Sequence, residues 1–244
     1  MKNAIEAPIE TGLSTLLALE QAHQFNAWMF GEIQPYLKGK VLEIGSGIGN
    51  ISSLCIGHGI PLSISDYDPH YLSLLRQKFG GNPSVEGIYG IDLSDTAFQT
   101  TYNELQGSFD TVFALNVVEH IQDDRLAIRN CHWLLRPGGR LVILVPALPM
   151  LYNRLDKGLE HYRRYSTATL RQLLSGPFDV KKMRYFNLAG IGGWWLIGTL
   201  LRRKVIGGGR AKIYNRLVPL LRLADKLSFH RLGLSLVVVG EKKR

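Results

Sequence analysis

The sequence predicts an α/β fold built around one mostly parallel sheet, and three observations carry that expectation. Lys40-Val41-Leu42-Glu43-Ile44 reads as a short buried strand that runs through Gly45-Ser46-Gly47-Ile48-Gly49-Asn50 into a helix starting at Ile51. Strand, glycine-rich turn and helix in that order form the βα unit of nucleotide-binding sheets. Apolar strands then alternate with helical stretches as far as residue 146. Last, Leu141-Val142-Ile143-Leu144-Val145 is an unbroken apolar run, as expected of a strand covered on both faces.

Composition sets the bounds. A chain of 244 residues, 45% hydrophobic and 20% charged, is globular and forms one large domain or one and a half. Two cysteines, Cys55 and Cys131, make neither a disulfide framework nor a metal quartet, so a reducing cytoplasmic setting is the simplest expectation. Met1 to Glu10 lacks the apolar core of a secretory signal. The charge is uneven. Residues 181–244 hold 15 Lys and Arg against 2 Asp and Glu, a net +13 within a total of +9. An acidic front and a basic tail imply an anionic partner for the tail, with membrane surface and nucleic acid as the physical candidates.

Taken in order, Leu13 to Leu37 has helical apolar spacing and forms an N-terminal cap, residues 1–38, with His23, Asn26 and Trp28 as candidate pocket lining. The first strand and glycine turn follow. The turn spells Gly-x-Gly-x-Gly, and Glu43 lies two residues ahead of it, where a carboxylate would repel a pyrophosphate and suit a cation. S-adenosylmethionine (SAM) has an amino group, a sulfonium and no phosphate, and it fits. Leu62 to Asp66 is the second strand. Asp66 stands 21 residues past Gly45, placed to accept from ribose hydroxyls, while Asp68 caps the helix that starts at Pro69. Val85 to Ile91 is a third strand, with Asp92 and Leu93 at its tip. Phe109 to Asn116 is a fourth, followed by Val117-Val118-Glu119-His120. Asp123 or Asp124 caps the next helix, and Leu135 to Arg140 turns into the fifth strand.

These pieces together resemble the class I SAM-dependent methyltransferases. The first motif matches as Glu43-Ile44-Gly45-Ser46-Gly47-Ile48-Gly49, the second at Asp66, the fourth as Phe109-Asp110 through Asn116-Val117-Val118-Glu119-His120, and the turn as Leu135-Arg136-Pro137-Gly138-Gly139. The resemblance implies a Rossmann-like seven-stranded sheet, mostly parallel with an antiparallel last strand, and SAM as cofactor. It implies a SAM site of Glu43, Gly45, Ser46, Gly47, Gly49, Asn50, Asp66, Tyr67, Asp92, Leu93, Asn116 and Val117. The core would span residues 39–186. A closer resemblance, carried by His161-Tyr162-Arg163-Arg164-Tyr165 and Gly233-Leu234-Ser235-Leu236 as well, is to a bacterial small-molecule or glycan-type subgroup whose members are mostly assigned only as methyltransferases, which leaves the acceptor open.

Beyond the fifth strand, residues 149–165 form a loop that we expect to act as a lid. Trp28, Tyr152, Tyr162, Arg163, Arg164 and Tyr165 are its substrate-binding candidates, with the arginines orienting an acidic acceptor. His120 and His161 are the candidate general bases. No His and carboxylate cluster shows metal-ligand spacing, so no metal is expected. Ser166 caps a helix, and Phe178 to Phe186 is a sixth strand. Residues 187–232 read as a basic helical insertion. Phe186 to Leu201 is uncharged and contains Trp194 and Trp195, Arg202-Arg203-Lys204 follow, and Ile213 to Leu227 is a basic amphipathic helix kinked at Pro219. Residues 233–244 supply the last strand. The insertion is expected to meet an anionic membrane at the inner face, with packing on the domain itself or a homodimer surface as the alternative. Nucleic acid is disfavoured, since no Asn-Pro-Pro-Tyr or Asp-Pro-Pro-Tyr motif is present. The activity expected is methyl transfer to an oxygen or nitrogen of a small molecule or a glycan or lipid-linked acceptor. The competing classes are a SAM-binding scaffold without turnover and a nicotinamide-dependent oxidoreductase of similar topology.

Overall fold

The structure is a computed structural model, and it describes residues 20–203 and 208–243. The predicted helical residues Leu13 to Leu19, together with Lys204 and Gly207, lie outside them. The elements in chain order are α1 (His23–Ile33), β1 (Val41–Ile44), α2 (Asn50–Gly57), β2 (Leu62–Asp66), α3 (Pro69–Phe79), β3 (Val85–Gly90), α4 (Phe98–Thr101), β4 (Phe109–Leu115) and α5 (Asp124–Leu134). Then come β5 (Leu135–Pro146), α6 (Arg154–Gly158), α7 (Thr167–Leu174), β6 (Phe178–Phe186), α8 (Gly190–Trp194), a wider helical turn over Trp195–Leu200, α9 (Gly208–Leu227) and β7 (Ser235–Lys242).

The seven strands form one sheet in the order β3-β2-β1-β4-β5-β7-β6. The pairs from β3 across to β5 are parallel, and β7 runs antiparallel between β5 and β6. This is the Rossmann-like arrangement expected. Neighbouring residues along β1 face opposite ways: Leu42 and Ile44 join a core with α5 and α7, whereas Val41 joins a second core with α1, α2 and α3. Both faces are therefore covered, which is why the central strands are apolar throughout.

The caps fall where the side chains allow. Asp68 accepts from the His70 amide at 2.8 Å, Asp123 from Leu126 at 2.9 Å, and Ser166 from Thr169 at 3.1 Å. Two local expectations change. The turn at Arg136 to Gly139 is a bulge within β5, because Phe109 pairs with Leu135 and Thr111 already pairs with Arg140. The loop from Pro149 contains α6, closed by a capping box in which Asn153 and Asp156 satisfy each other's backbone.

The insertion folds back onto the cap. The Asn215 side chain on α9 accepts the amides of Gln24 and Phe25 at 2.9 and 3.1 Å, capping the start of α1 from a distant part of the chain. Val218 is buried, and Asp225 accepts the amides of Asn187 and Leu188 at 2.6 and 2.7 Å. No described helix is long and apolar enough to cross a membrane.

Candidate active site

The parallel strands β1, β2, β3 and β4 end at one edge of the sheet, where the order reverses from β1 to β4 and a crevice opens. Three glycines shape its floor, with φ of 69°, 56° and 76° at Gly45, Gly47 and Gly49. A Cβ on Gly45 would stand 2.5 Å from Val117, and one on Gly49 would stand 2.3 Å from Phe79. Both positions thus need glycine for conformation and for space. The turn is pressed against the tip of β4 on one side and α3 on the other, and α2 begins directly after it, adding the partial positive charge of a helix start.

Asp66 ends β2 and closes the crevice floor. Its carboxylate accepts from the Gly47 amide at 2.9 Å and the Asp68 amide at 3.0 Å. Burial raises its pKa, and those hydrogen bonds oppose the rise. Glu43 lies beneath the turn, 4% exposed, and accepts from the Ser52 hydroxyl on α2. Burial pushes its pKa up to about 7, against the hydrogen bonds from Ser52 and Ser46. Ser46 is itself bonded to β2, its amide donating to the Ser65 carbonyl at 2.8 Å. Tyr67 is exposed beside Asp66, and Asn50 opens α2. Asp92 orders its own loop by accepting from Ser94, and Leu93 is buried with its carbonyl held by Asn130. Asn116 has a φ of 54° that turns the chain off β4, and Val117 meets Gly45. The cofactor candidates thus line one crevice edge, with a small bare turn, the Asp66 carboxylate at its end and the Lys78 ammonium tied to the Ile48 carbonyl at 3.0 Å. That donor set fits a nucleoside carrying a cationic tail.

Beside the tip of β4, the lid meets the next turn. The Tyr162 amide donates to the Glu119 carbonyl at 2.8 Å, and the rings of His120 and His161 stand edge to face, 4.7 Å apart. Protein packed around the ring, then the neighbouring His161, pull the His120 imidazole down to about 4, although part of the residue reaches solvent. Both oxygens of the fully buried Glu119 carboxylate lack a hydrogen-bond partner among the described residues, and burial pushes it up to about 8.

Three sequence-based assignments are corrected here. Trp28 is 2% exposed and packs edge-on to Phe186 at 4.6 Å, so it is core and lines no pocket. Tyr165 is buried, with its hydroxyl tied to Asp124 at 3.0 Å. Arg164 is buried beneath the lid, where its Nε donates to Asp156 at 2.7 Å and its Nη1 to the Ala147 carbonyl at 2.7 Å, with the guanidinium 4.6 Å over Trp194. It holds the lid together and is not free to clamp an acceptor. Arg163 is paired to Asp124 at 2.8 Å. Tyr152 donates to the His161 carbonyl at 2.7 Å, and Tyr162 stays exposed.

Asp156 organises this region, and the sequence alone did not single it out. Its carboxylate accepts from His161 Nδ1 at 3.0 Å, Arg164, Trp194 Nε1 at 3.1 Å and the Asn153 amide at 2.9 Å. Burial alone would raise its pKa, but the His161 hydrogen bond and the Arg164 charge hold it below the usual carboxylate value. The sequence signal was Asn153-x-x-Asp156, a capping box inside what read as a loop.

Comparison with known proteins agrees with this geometry. Residues 42–141, from β1 into β5, match the family model described as a methyltransferase domain. A ubiquinone biosynthesis O-methyltransferase of Pseudomonas aeruginosa is 27% identical over 187 residues, covering 76% of this chain and 73% of its own. A SAM-dependent methyltransferase from Archaeoglobus fulgidus has the same fold, with a TM-score of 0.57 at 18% identity over 89% of this chain and 94% of its own. So does the phosphoethanolamine N-methyltransferase 2 of Haemonchus contortus, at a TM-score of 0.60 and 15% identity over 88% of this chain and 52% of its own. The family model, the O-methyltransferase relatives and the shared fold together support a class I SAM-dependent methyltransferase with SAM as its cofactor.

Proposed function

We propose that the chain methylates a hydroxyl oxygen of a small molecule that it meets at an anionic membrane surface. The single observation behind the chemistry is the meeting at the tip of β4. There Val117 packs on the glycine turn while His120 and His161 stand 4.7 Å apart, next to the crevice. When bound, SAM supplies the electrophilic methyl. The chain's own residues then align the acceptor and handle its proton: Asp66 and Asp92 fix the nucleoside end, Asn116 meets the methionine end, and His120, backed by Glu119 and His161, faces the acceptor. Holding the two reactants in line removes most of the entropic part of the barrier. The choice of oxygen follows the O-methyltransferase relative.

The membrane reading rests on the insertion. Leu220, Leu223 and Leu227 of α9 are 66%, 53% and 71% exposed and recur at helical spacing, and Arg216, Arg222 and Lys226 flank them. Phe229 is 78% exposed just beyond. Of the two tryptophans, Trp194 turns inward to Asp156 and Trp195 is exposed. Apolar side chains ringed by cations suit the interface of an anionic bilayer.

The test is incubation of the protein with methyl-labelled SAM and a lipid extract or an aqueous cell extract, followed by product identification. Label in a lipid-soluble methyl ether supports the proposal. Label in an N-methyl product or a water-soluble glycan replaces the acceptor, and SAM binding without any product leaves a non-enzymatic SAM-binding role.

A further inference from the structure

We propose that Glu119, His120 and His161 bind a divalent transition-metal cation that holds the acceptor oxygen; the catalytic half of this inference rests on the methyl-transfer reading above. One nitrogen of each imidazole and one oxygen of the carboxylate lie within 4.8 Å of one another. Zinc bonded at about 2.0–2.2 Å places its ligand atoms roughly 3.5 Å apart, so small side-chain rotations close the set.

Three further observations favour a cation over ordinary packing. The Glu119 carboxylate is 0% exposed, and neither oxygen has a hydrogen-bond partner among the described residues. The Arg164 charge and the residue's own amide act on this carboxylate, yet burial outweighs both, so a bound cation would offset the remaining cost. The ring of His161 is oriented from behind: Nδ1 is fixed on Asp156 at 3.0 Å, which leaves Nε2 as the free lone pair. A carboxylate behind a histidine is the usual support of a metal ligand, because it sets the tautomer and strengthens the donor. The ligands come from the turn after β4 and from the lid, and the Tyr162 amide on the Glu119 carbonyl at 2.8 Å holds the two segments in register.

Two histidines and one carboxylate leave a coordination position open, as catalytic zinc sites do. An acceptor hydroxyl bound there becomes more acidic and sheds its proton to solvent. The new O–CH3 bond then forms as the S–CH3 bond breaks, with the electron pair staying on sulfur. On this view the two histidines are ligands, and neither takes the proton.

The experiment needs no turnover. The full-length protein, stripped with a chelator and free of SAM, is titrated with zinc ion against a chromophoric competitor. Wild type should take up one equivalent, with affinity at least about tenfold weaker in His120→Ala and in Glu119→Gln. His132→Ala, on a distant half-buried histidine, should bind like wild type. His120 is at the surface, so its alanine variant tests the site even if Glu119→Gln misfolds. No uptake by wild type, or equal uptake by wild type and His120→Ala, overturns the metal site. A parallel SAM titration separates the two readings: SAM binding without zinc binding removes only the metal, and zinc binding without SAM binding removes only the methyl-transfer role.

Discussion

Glu43→Gln should stabilise the SAM-free protein, increasingly so as pH rises. The Glu43 carboxyl titrates at about 7 in the fold against 4.5 for the unconstrained group, because burial disfavours its charge more than Ser52 and Ser46 favour it. The sign follows from proton binding. Between 4.5 and about 7 the folded chain keeps a proton that the unfolded chain has lost, so stability is greatest below 4.5 and falls as pH rises to about 7. Integrating that difference from about pH 5 to about pH 8 gives a loss of about 2.5 kcal/mol in wild type, absent in the glutamine variant. For a chain of this size, each kcal/mol moves Tm by about 2–4 °C, so the gap between variant and wild type should widen by about 5–10 °C. The assay is thermal melting of both proteins across that range without SAM. Comparison with the variant isolates Glu43 from Glu119, which titrates in the same direction. A gap that stays constant with pH would refute the reasoning.

Other outcomes are equally specific. Asp66→Ala removes the acceptor at the ribose position and frees the Gly47 amide, so SAM affinity measured by calorimetry should fall at least about tenfold, given that a charged hydrogen bond contributes about 1.5–3 kcal/mol. Leu220→Ser with Leu227→Ser should leave folding intact, since both are exposed, and should weaken sedimentation with anionic vesicles at low salt; wild type that stays in the supernatant there defeats the membrane proposal. Asp156→Asn leaves the Arg164 guanidinium buried without its counter-charge, a loss of about 3–5 kcal/mol seen as a lower denaturation midpoint.

What the sequence revealed and what it hid divide along a physical line. The sheet was legible because its cues are local: short apolar strands, Asp68 ahead of Pro69, Ser166 ahead of its helix, and a glycine turn after Ile44. The glycine turn and Asp66 could be placed for the same reason, since one follows β1 directly and the other ends β2. The lid was not. Arg164 reads as a surface cation in sequence, and only the fold brings Asp156, eight residues earlier, and Trp194, thirty residues later, against it. Trp28 misled in the same way, because the Phe186 that buries it lies at the far end of β6. The Glu119, His120 and His161 cluster escaped a search by spacing, since His161 lies far along the chain from Glu119 and His120.

Asp156 also sets how this part of the molecule responds to damage. One carboxylate satisfies the lid through Asn153 and Arg164, the insertion through Trp194, and the reaction space through His161. Such a node makes its partners thermodynamically coupled: the first substitution among His161, Arg164 and Trp194 disrupts the shared arrangement, and a second finds less left to lose. Drift at these positions would therefore be correlated, and the insertion could not change freely at Trp194 without altering how His161 is oriented.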